Sequence, residues 1–276
     1  MSLIELKTKI NVNCDLDLKN LHRLNYPGIT LKEISKIELV YNSSKLQLSD
    51  VFKIKVIDQS KGQKKVVLKG SNKFFQNIGF RWSNDLLFII GDVGSYLGYK
   101  MESGTLNLSG SAENFVACQM IGGKIIVDGN VKDYLGSVDF GEKIGMNGGS
   151  VLVKKNAGDY LGHYMRRGLI IVNGNVGENC SNHLIAGTVI IKGNIGKNLA
   201  FDMKRGTLII NHKEAIPKKK FINCGEQKIE FFNLLKKYLS KDFEPKENLS
   251  NFIKYIGNSD VKGFGEILLR KKSNQE

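Results

Sequence analysis

From about residue 86 to residue 210, short apolar runs rich in β-branched residues alternate with glycine-bearing polar stretches at a fixed interval. Runs such as Lys124-Ile125-Ile126-Val127 and Leu169-Ile170-Ile171-Val172 have strand propensity and are too short to be buried helices. Aligning the chain with itself gives repeat units opening at Gly91, Gly110, Gly129, Lys155, Gly174 and Gly193, with Lys155 the one departure from glycine. Ahead of each run stands a bulky apolar residue, Met101, Met120, Met146, Met165, Leu184 or Met203, followed three residues later by Gly104, Gly123, Gly149, Gly168, Gly187 or Gly206. These glycines are spaced 19, 26, 19, 19 and 19, the long interval being the period plus a seven-residue insertion around Val138 to Ile144.

One unit reads as a strand, a corner at a Gly-Asn pair (Gly129-Asn130, Gly174-Asn175, Gly193-Asn194) where both residues tolerate positive φ, and a second side such as Asp159-Tyr160-Leu161-Gly162. A small residue (Gly98, Ala117, Gly136, Gly162, Ser181, Ala200) closes each second side at a tight bend. A unit this short cannot bury its apolar face alone, so neighbours must stack at about 4.8 Å. The expected fold is therefore mainly β: a right-handed parallel β-helix, a solenoid with a 19-residue repeat, spanning residues 66–210. Methionine at one slot then forms an interior ladder of thioethers rather than a metal site, because a stacked row does not converge its ligands. Val66-Val67-Leu68-Lys69-Gly70, Ile78-Gly79 and Trp82 read as a degraded earlier unit, and the rod comes to about 30 Å at that stacking distance.

Residues 1–65 alternate apolar and polar positions, with Tyr26-Pro27-Gly28 as a turn and Leu31 to Ile34 as a short helix, which predicts a β-rich N-terminal cap. In residues 211–276, Phe231, Leu234, Leu235 and Tyr238 follow helical spacing within Lys228 to Leu239. An amphipathic helix and a docking arm are expected there.

The formal charge of +14 attracts polyanions or an acidic partner without choosing among them. The lysines are spread along the chain instead of being gathered into arginine-rich stretches interleaved with aromatics, which argues against nucleic acid. Cys14, Cys118, Cys180 and Cys224 are scattered and read as reduced thiols; with no signal-like segment or apolar span, a cytoplasmic, non-membrane location is expected.

Candidate chemistry is sparse. His163 and His183 fall in neighbouring slots of adjacent units and should approach one another, but without partners placed for a metal. Asp133 and Asp159 share a slot one unit apart, a position expected to face solvent rather than to do acid–base work. Gly91-Asp92-Val93-Gly94 lacks the helix and lysine of a phosphate loop. Arg166-Arg167 and Lys204-Arg205 recur at equivalent corners two units apart and predict a basic edge that solvates a corner or grips a polyanion. No catalytic residue and no metal ligand is predicted.

The recurring G-x-x-G…M-x-x-G-x-[IVL]-x-[IV]-x-G pattern resembles the GXGXG β-helix of glutamate synthase, where it forms part of the α chain, and of formylmethanofuran dehydrogenase, where it forms the third subunit. His163 to Gly177 (HYMRRGLIIVNGNVG), His183 to Gly196 (HLIAGTVIIKGNIG), Asp202 to Ile210, the Phe221-Ile222-Asn223-Cys224-Gly225 helix lead and the Gly263 to Leu268 terminus are similar to the bacterial version of that third subunit, found in a formyltransferase/hydrolase complex. The resemblance implies a non-catalytic scaffold in one-carbon metabolism and methylotrophy. Partner amidohydrolase-like, formyltransferase and dehydrogenase-B-like subunits would transfer formyl groups between tetrahydromethanopterin and a methanofuran analogue and release formate. The archaeal relatives belong to tungsten or molybdenum oxidoreductases. On this reading the chain itself binds no cofactor, and Arg166, Arg167, Lys204 and Arg205 would steer the polyanionic tail of the furan carrier. The alternative is a stand-alone basic β-helix module for an acidic protein or polyanion.

Overall fold

The computed structural model describes residues 3–57, 62–229 and 251–270. Its strands are β1 (Leu3–Thr8), β2 (Leu16–Asp17), β3 (Glu38–Tyr41), β4 (Ser44–Gln47), β5 (Phe52–Ile57), β6 (Lys65–Ser71), β7 (Phe75–Gln76), β8 (Leu86–Gly91) and β9 (Thr105–Leu108). There follow β10 (Lys124–Val127), β11 (Asn147–Val153), β12 (Arg167–Val172), β13 (Thr188–Ile191), β14 (Thr207–Ile210), β15 (Phe221–Lys228), β16 (Asn251–Gly257) and β17 (Gly265–Arg270). Two short helices, α1 (Leu31–Ser35) and α2 (Leu48–Val51), lie between β2 and β5, each closed by a reciprocal capping box. The molecule is mainly β, with one thirteen-stranded sheet ordered β15-β16-β17-β14-β13-β12-β11-β10-β9-β8-β6-β1-β5 and a four-stranded sheet β4-β3-β2-β7.

From β6 to β14 every neighbouring pair in the large sheet is parallel. Leu86 faces Thr105, Thr105 faces Lys124, Lys124 faces Ser150, Ser150 faces Leu169, Leu169 faces Thr188 and Thr188 faces Thr207. The offsets are thus 19 residues, except 26 across the insertion between β10 and β11. Two further lines tie the same units together. Val93, Ala112, Val131, Ala157, Val176 and Ile195 form a run of parallel bridges. The amides of Gly98, Ala117, Gly136, Gly162, Ser181 and Ala200 donate to carbonyls one unit back at 2.7–2.9 Å.

Inside, Met101, Met120, Met146, Met165, Leu184 and Met203 are fully buried. A Cβ placed on Gly123, Gly149, Gly168 or Gly187 would lie 2.7–2.9 Å from the terminal methyl of the methionine one unit earlier, so each thioether occupies the space that the next unit's glycine leaves open. Gly206 meets Leu184 in the same way, and Met203 fills the space at Gly265 although 59 residues separate Glu266 from its strand partner Thr207. Trp82 stands in the corresponding place of the first unit, fully buried, its indole N–H donating to the Asp85 carbonyl at 3.0 Å.

Burial follows the local sequence. In β9 and β10 (TLNL, KIIV) the first and third residues are half-exposed and the second and fourth buried. In β12 to β14 the uninterrupted apolar runs are buried on both faces, Ile170 and Val172 pointing into one cluster and Leu169 and Ile171 into a second with Leu152, Ile190, Ile209, Leu268 and Phe252. Each such side chain contributes roughly 1.5–3 kcal/mol.

Several expectations need correction. At Gly129, Gly174 and Gly193 the backbone does not enter positive φ, and neither do the asparagines that follow. Glycine is needed there for close approach: a Cβ would meet Ser111 Oγ at 2.4 Å, Asn156 Oδ1 at 2.4 Å and the Gly174 carbonyl oxygen at 2.3 Å. The asparagines work as a ladder: Asn130, Asn156 and Asn175 each use a side-chain oxygen to accept the main-chain N–H of the next unit's asparagine at 2.8–3.2 Å. Phe221 to Gly225 is strand, not a helix lead, and the terminal arm enters the large sheet, β17 pairing parallel with β14 and antiparallel with β16. The helix expected within Lys228 to Leu239 lies outside the described residues from position 230 onward, and Lys228 itself ends β15. At the N-terminal end, independently of these corrections, β1 pairs antiparallel with β5 and parallel with β6, so that β1 and β5 form the last two strands of the large sheet.

Gly149→Ala should lower stability by about 3 kcal/mol, because the added methyl meets both the Gly123 carbonyl and the Met120 methyl at 2.7 Å on a backbone with φ +77. Gly141→Ala, at φ +80 with nothing within 4 Å, should cost about 1 kcal/mol. Urea midpoints of the two variants check this; equal losses would contradict it.

Candidate functional site

Stacked units convert each sequence slot into a column, and three neighbouring columns bring aromatic and imidazole groups together. Tyr96, Phe115, Tyr134 and Tyr160 stack ring on ring, with centroids 4.8, 4.8 and 5.0 Å apart and planes within 6° of parallel. All four have φ between 57 and 64, unusual for aromatic residues. Strain of about 1–3 kcal/mol per residue is offset in part by stacking worth about 0.5–1.5 kcal/mol per pair. Beyond Tyr160 the column continues as Asn179 and Asn198, which share a side-chain hydrogen bond of 3.2 Å.

The seven-residue insertion folds back over this column. The Asp139 carboxylate accepts hydrogen bonds from the hydroxyls of Tyr96 at 3.0 Å and Tyr99 at 2.9 Å, and Phe140 packs edge-on against Phe115 while remaining 77% exposed. Burial, and then the bond to the Asp139 carboxylate, pushes both tyrosine hydroxyls well above their ordinary range. Beneath the loop, Cys118 is buried and its thiol is pushed up by desolvation and by the Asp139 charge. Cys180 is also buried, its thiol pushed up to about 12 by desolvation, and all four cysteines are free.

Further along, His163 and His183 meet edge to face at 5.8 Å, as their neighbouring slots demand, with Tyr164 stacked on His183 at 4.8 Å. His183 Nε2 lies 3.6 Å from Asp202 Oδ2, and the carbonyl of Asn182 sits 3.2 Å from His163 Nδ1. Burial depresses the pKa of His163, opposed by the Asn182 carbonyl and assisted by the neighbouring His183. Among the described residues no three His, Cys, Asp or Glu side chains converge as a metal site.

Asp133 and Asp159 are half-buried rather than facing solvent. Each carboxylate accepts the main-chain N–H one unit ahead, that of Asp159 at 2.8 Å and that of Glu178 at 2.7 Å, so both are rungs of a second ladder. Asp92 of Gly91-Asp92-Val93-Gly94 heads the asparagine ladder instead, accepting the Ser111 N–H at 2.7 Å, while Ser111 Oγ accepts the Asn130 N–H at 3.1 Å.

Arg166, Arg167, Lys204 and Arg205 are exposed on one edge, with Ile185-Ala186 occupying the unit between the two pairs. The amides of Arg166 and Arg167 donate to the Met146 carbonyl and that of Lys204 to the Leu184 carbonyl, which fixes the backbone and leaves the side chains outward. The pairs lie about 10 Å apart, two stacking steps.

The aromatic column is legible as aromatic residues at positions 96, 115, 134 and 160, whose spacing repeats that of the glycines, but a reading centred on the glycines and methionines passes over it. The Asp139 latch leaves no such signal, because the insertion has no counterpart in the other units.

A family model for the GXGXG motif matches residues 33–263. The fold is similar to that of a chain in the X-ray crystal structure of the formyltransferase/hydrolase complex (FhcABCD) from Methylorubrum extorquens in complex with methylofuran. The TM-score is 0.85 at 29% identity, over 97% of this chain and 100% of that chain. No curated protein matches. No helix among the described residues is long and apolar enough to cross a membrane.

Because the folded His163 has a depressed pKa, the unfolded chain binds the proton first as pH falls. Stability should therefore decline from about pH 6.5 downward, until the folded-state imidazole also titrates. His163→Gln should flatten that decline in urea midpoints measured between pH 7.5 and about 5; an unchanged slope would contradict the assignment.

Proposed function

We propose, from the premise that this chain belongs to the GXGXG-motif family, that it is a non-catalytic scaffold subunit of a formyltransferase/hydrolase-type complex. Its fold on this reading is a right-handed parallel β-helix of 19-residue units, extended by the β15–β17 segment. The observation that carries the reading is the end-to-end similarity to a chain of the formyltransferase/hydrolase complex, covering all of that chain.

In this role the chain holds partner subunits that act on one-carbon groups carried by a methanofuran analogue and tetrahydromethanopterin, and supplies a charged track rather than a reacting group. The exposed pairs Arg166-Arg167 and Lys204-Arg205 provide that track, suited to the polycarboxylate tail of a furan carrier. Single exposed ion pairs are weak, so the effect comes from several cations along one edge and falls as salt rises.

Two measurements test this. Tagged native chain should co-elute with three other subunits, and a chain that elutes alone would reject the complex. Reversing all four charges (Arg166→Glu, Arg167→Glu, Lys204→Glu, Arg205→Glu) should weaken carrier binding by about tenfold at low salt, with the difference shrinking by about 0.5 M salt. Unchanged affinity would reject the track while leaving complex membership standing.

A further inference from the structure

The end of the large sheet holds a second basic feature, separate from the four edge residues. Between the segment after β14 and the turn joining β16 to β17 lies an open cleft of about 850 Å³. Lys213, Lys218, Lys219 and Lys262 stand around it, and no carboxylate is among its lining residues. Lys220 lies over the Phe201 ring at 4.8 Å and pairs with Asp260 just outside the lining. The same cleft exposes two large apolar side chains, Ile222 at 74% and Phe264 at 78%. Phe264 is fixed in place, its N–H donating to the Lys204 carbonyl at 2.7 Å, and Gly263 packs against backbone at Met203 and Lys204.

Beside the cleft begins β15, the outermost strand of the sheet. Among the described residues no strand pairs with its free side, and Ile222 to Lys228 are exposed. A sheet edge of this kind offers unpaired N–H and C=O groups to an added chain. The bulge between Asn223 and Glu226 confines the straight stretch to Phe221–Asn223, the part that lines the cleft; within it the Phe221 N–H already donates to the Pro217 carbonyl at 3.2 Å, so an added chain would pair with the groups beyond it.

We infer that this cleft is a docking surface for an extended acidic segment of a partner protein, paired with the backbone of Phe221–Asn223, its carboxylates among the lysines and an apolar side chain against Phe264 and Ile222. Charge and apolar contact each favour that occupant, as does a strand edge that no described strand covers; a bare polyanion would use the lysines alone. The inference goes beyond the proposed scaffold role and rests on it only in taking the partner to be another subunit.

The test uses the full chain and a fluorescent dodecapeptide of alternating Glu and Val, read by anisotropy at low salt. Wild type should bind it. The quadruple variant Lys213→Glu, Lys218→Glu, Lys219→Glu, Lys262→Glu should lose at least about tenfold in affinity, and Phe264→Ala several-fold, each with an unaltered far-UV spectrum. A peptide N-methylated at alternate amides should bind more weakly than its parent. The inference is overturned if the quadruple variant binds like wild type, or if inorganic polyphosphate competes fully while neither Phe264→Ala nor N-methylation has an effect. In purified complex, the quadruple variant should lack one subunit that wild type retains. A variant retaining every subunit sinks the docking surface alone, whereas a wild-type chain with no partners sinks the scaffold reading.

Discussion

Parallel hydrogen bonding between successive chain units is the constraint on which the rest of this structure depends. Three lines of backbone contact tie each unit to the next: the strand ladder, the Val93-to-Ile195 bridges and the amides from Gly98 to Ala200. With three lines fixed, a unit can neither rotate nor slip against its neighbour, so every sequence slot becomes a column. Met101 to Met203 are then obliged to pack as a ladder, and the asparagines from Asn130 to Asn194 meet at hydrogen-bonding distance.

The same constraint sets the amino-acid choices. Units stacked this closely leave no room for a Cβ where backbone crosses backbone, which is why Gly110, Gly129, Gly174 and Gly193 keep ordinary φ values and still require glycine. It also bears on how four aromatic residues hold left-handed backbone, since each ring stacks on at least one ring a unit away, and Phe115 and Tyr134 on two. The surface inherits the repetition. A surface made of columns presents rows of charge or rings and gathers few groups at one point.

Much of this is legible in the sequence because the repeat is local and its spacing survives translation into three dimensions. The glycine intervals and the strand offsets are the same numbers, including the long one across the insertion. The approach of His163 to His183 follows from adjacent slots. Part of what escapes lies off the repeat. Asp139 sits in an insertion with no equivalent elsewhere, so nothing announces its bonds to Tyr96 and Tyr99. The return of β17 onto β14 depends on a partner 59 residues away, and Gly265 beside Met203 gives the slot pattern only after that pairing is known. The role of glycine in the Gly-Asn pairs is misread from sequence because turn propensity and close packing select the same residue. The carboxylates of Asp133 and Asp159 are misplaced because an acidic side chain that accepts a neighbouring amide looks, in sequence, like one in solvent.

If stacking in register governs the fold, one unit can be removed whole. Deleting residues 174–192, which is 19 positions, would bring Gly193 against the unit that carries Ala157 and set Met165 beneath Gly206. Urea unfolding followed by circular dichroism should show a cooperative transition with the native β signature. Deleting ten residues from the same stretch should abolish that transition. A folded ten-residue deletion, or an unfolded 19-residue one, would contradict the account.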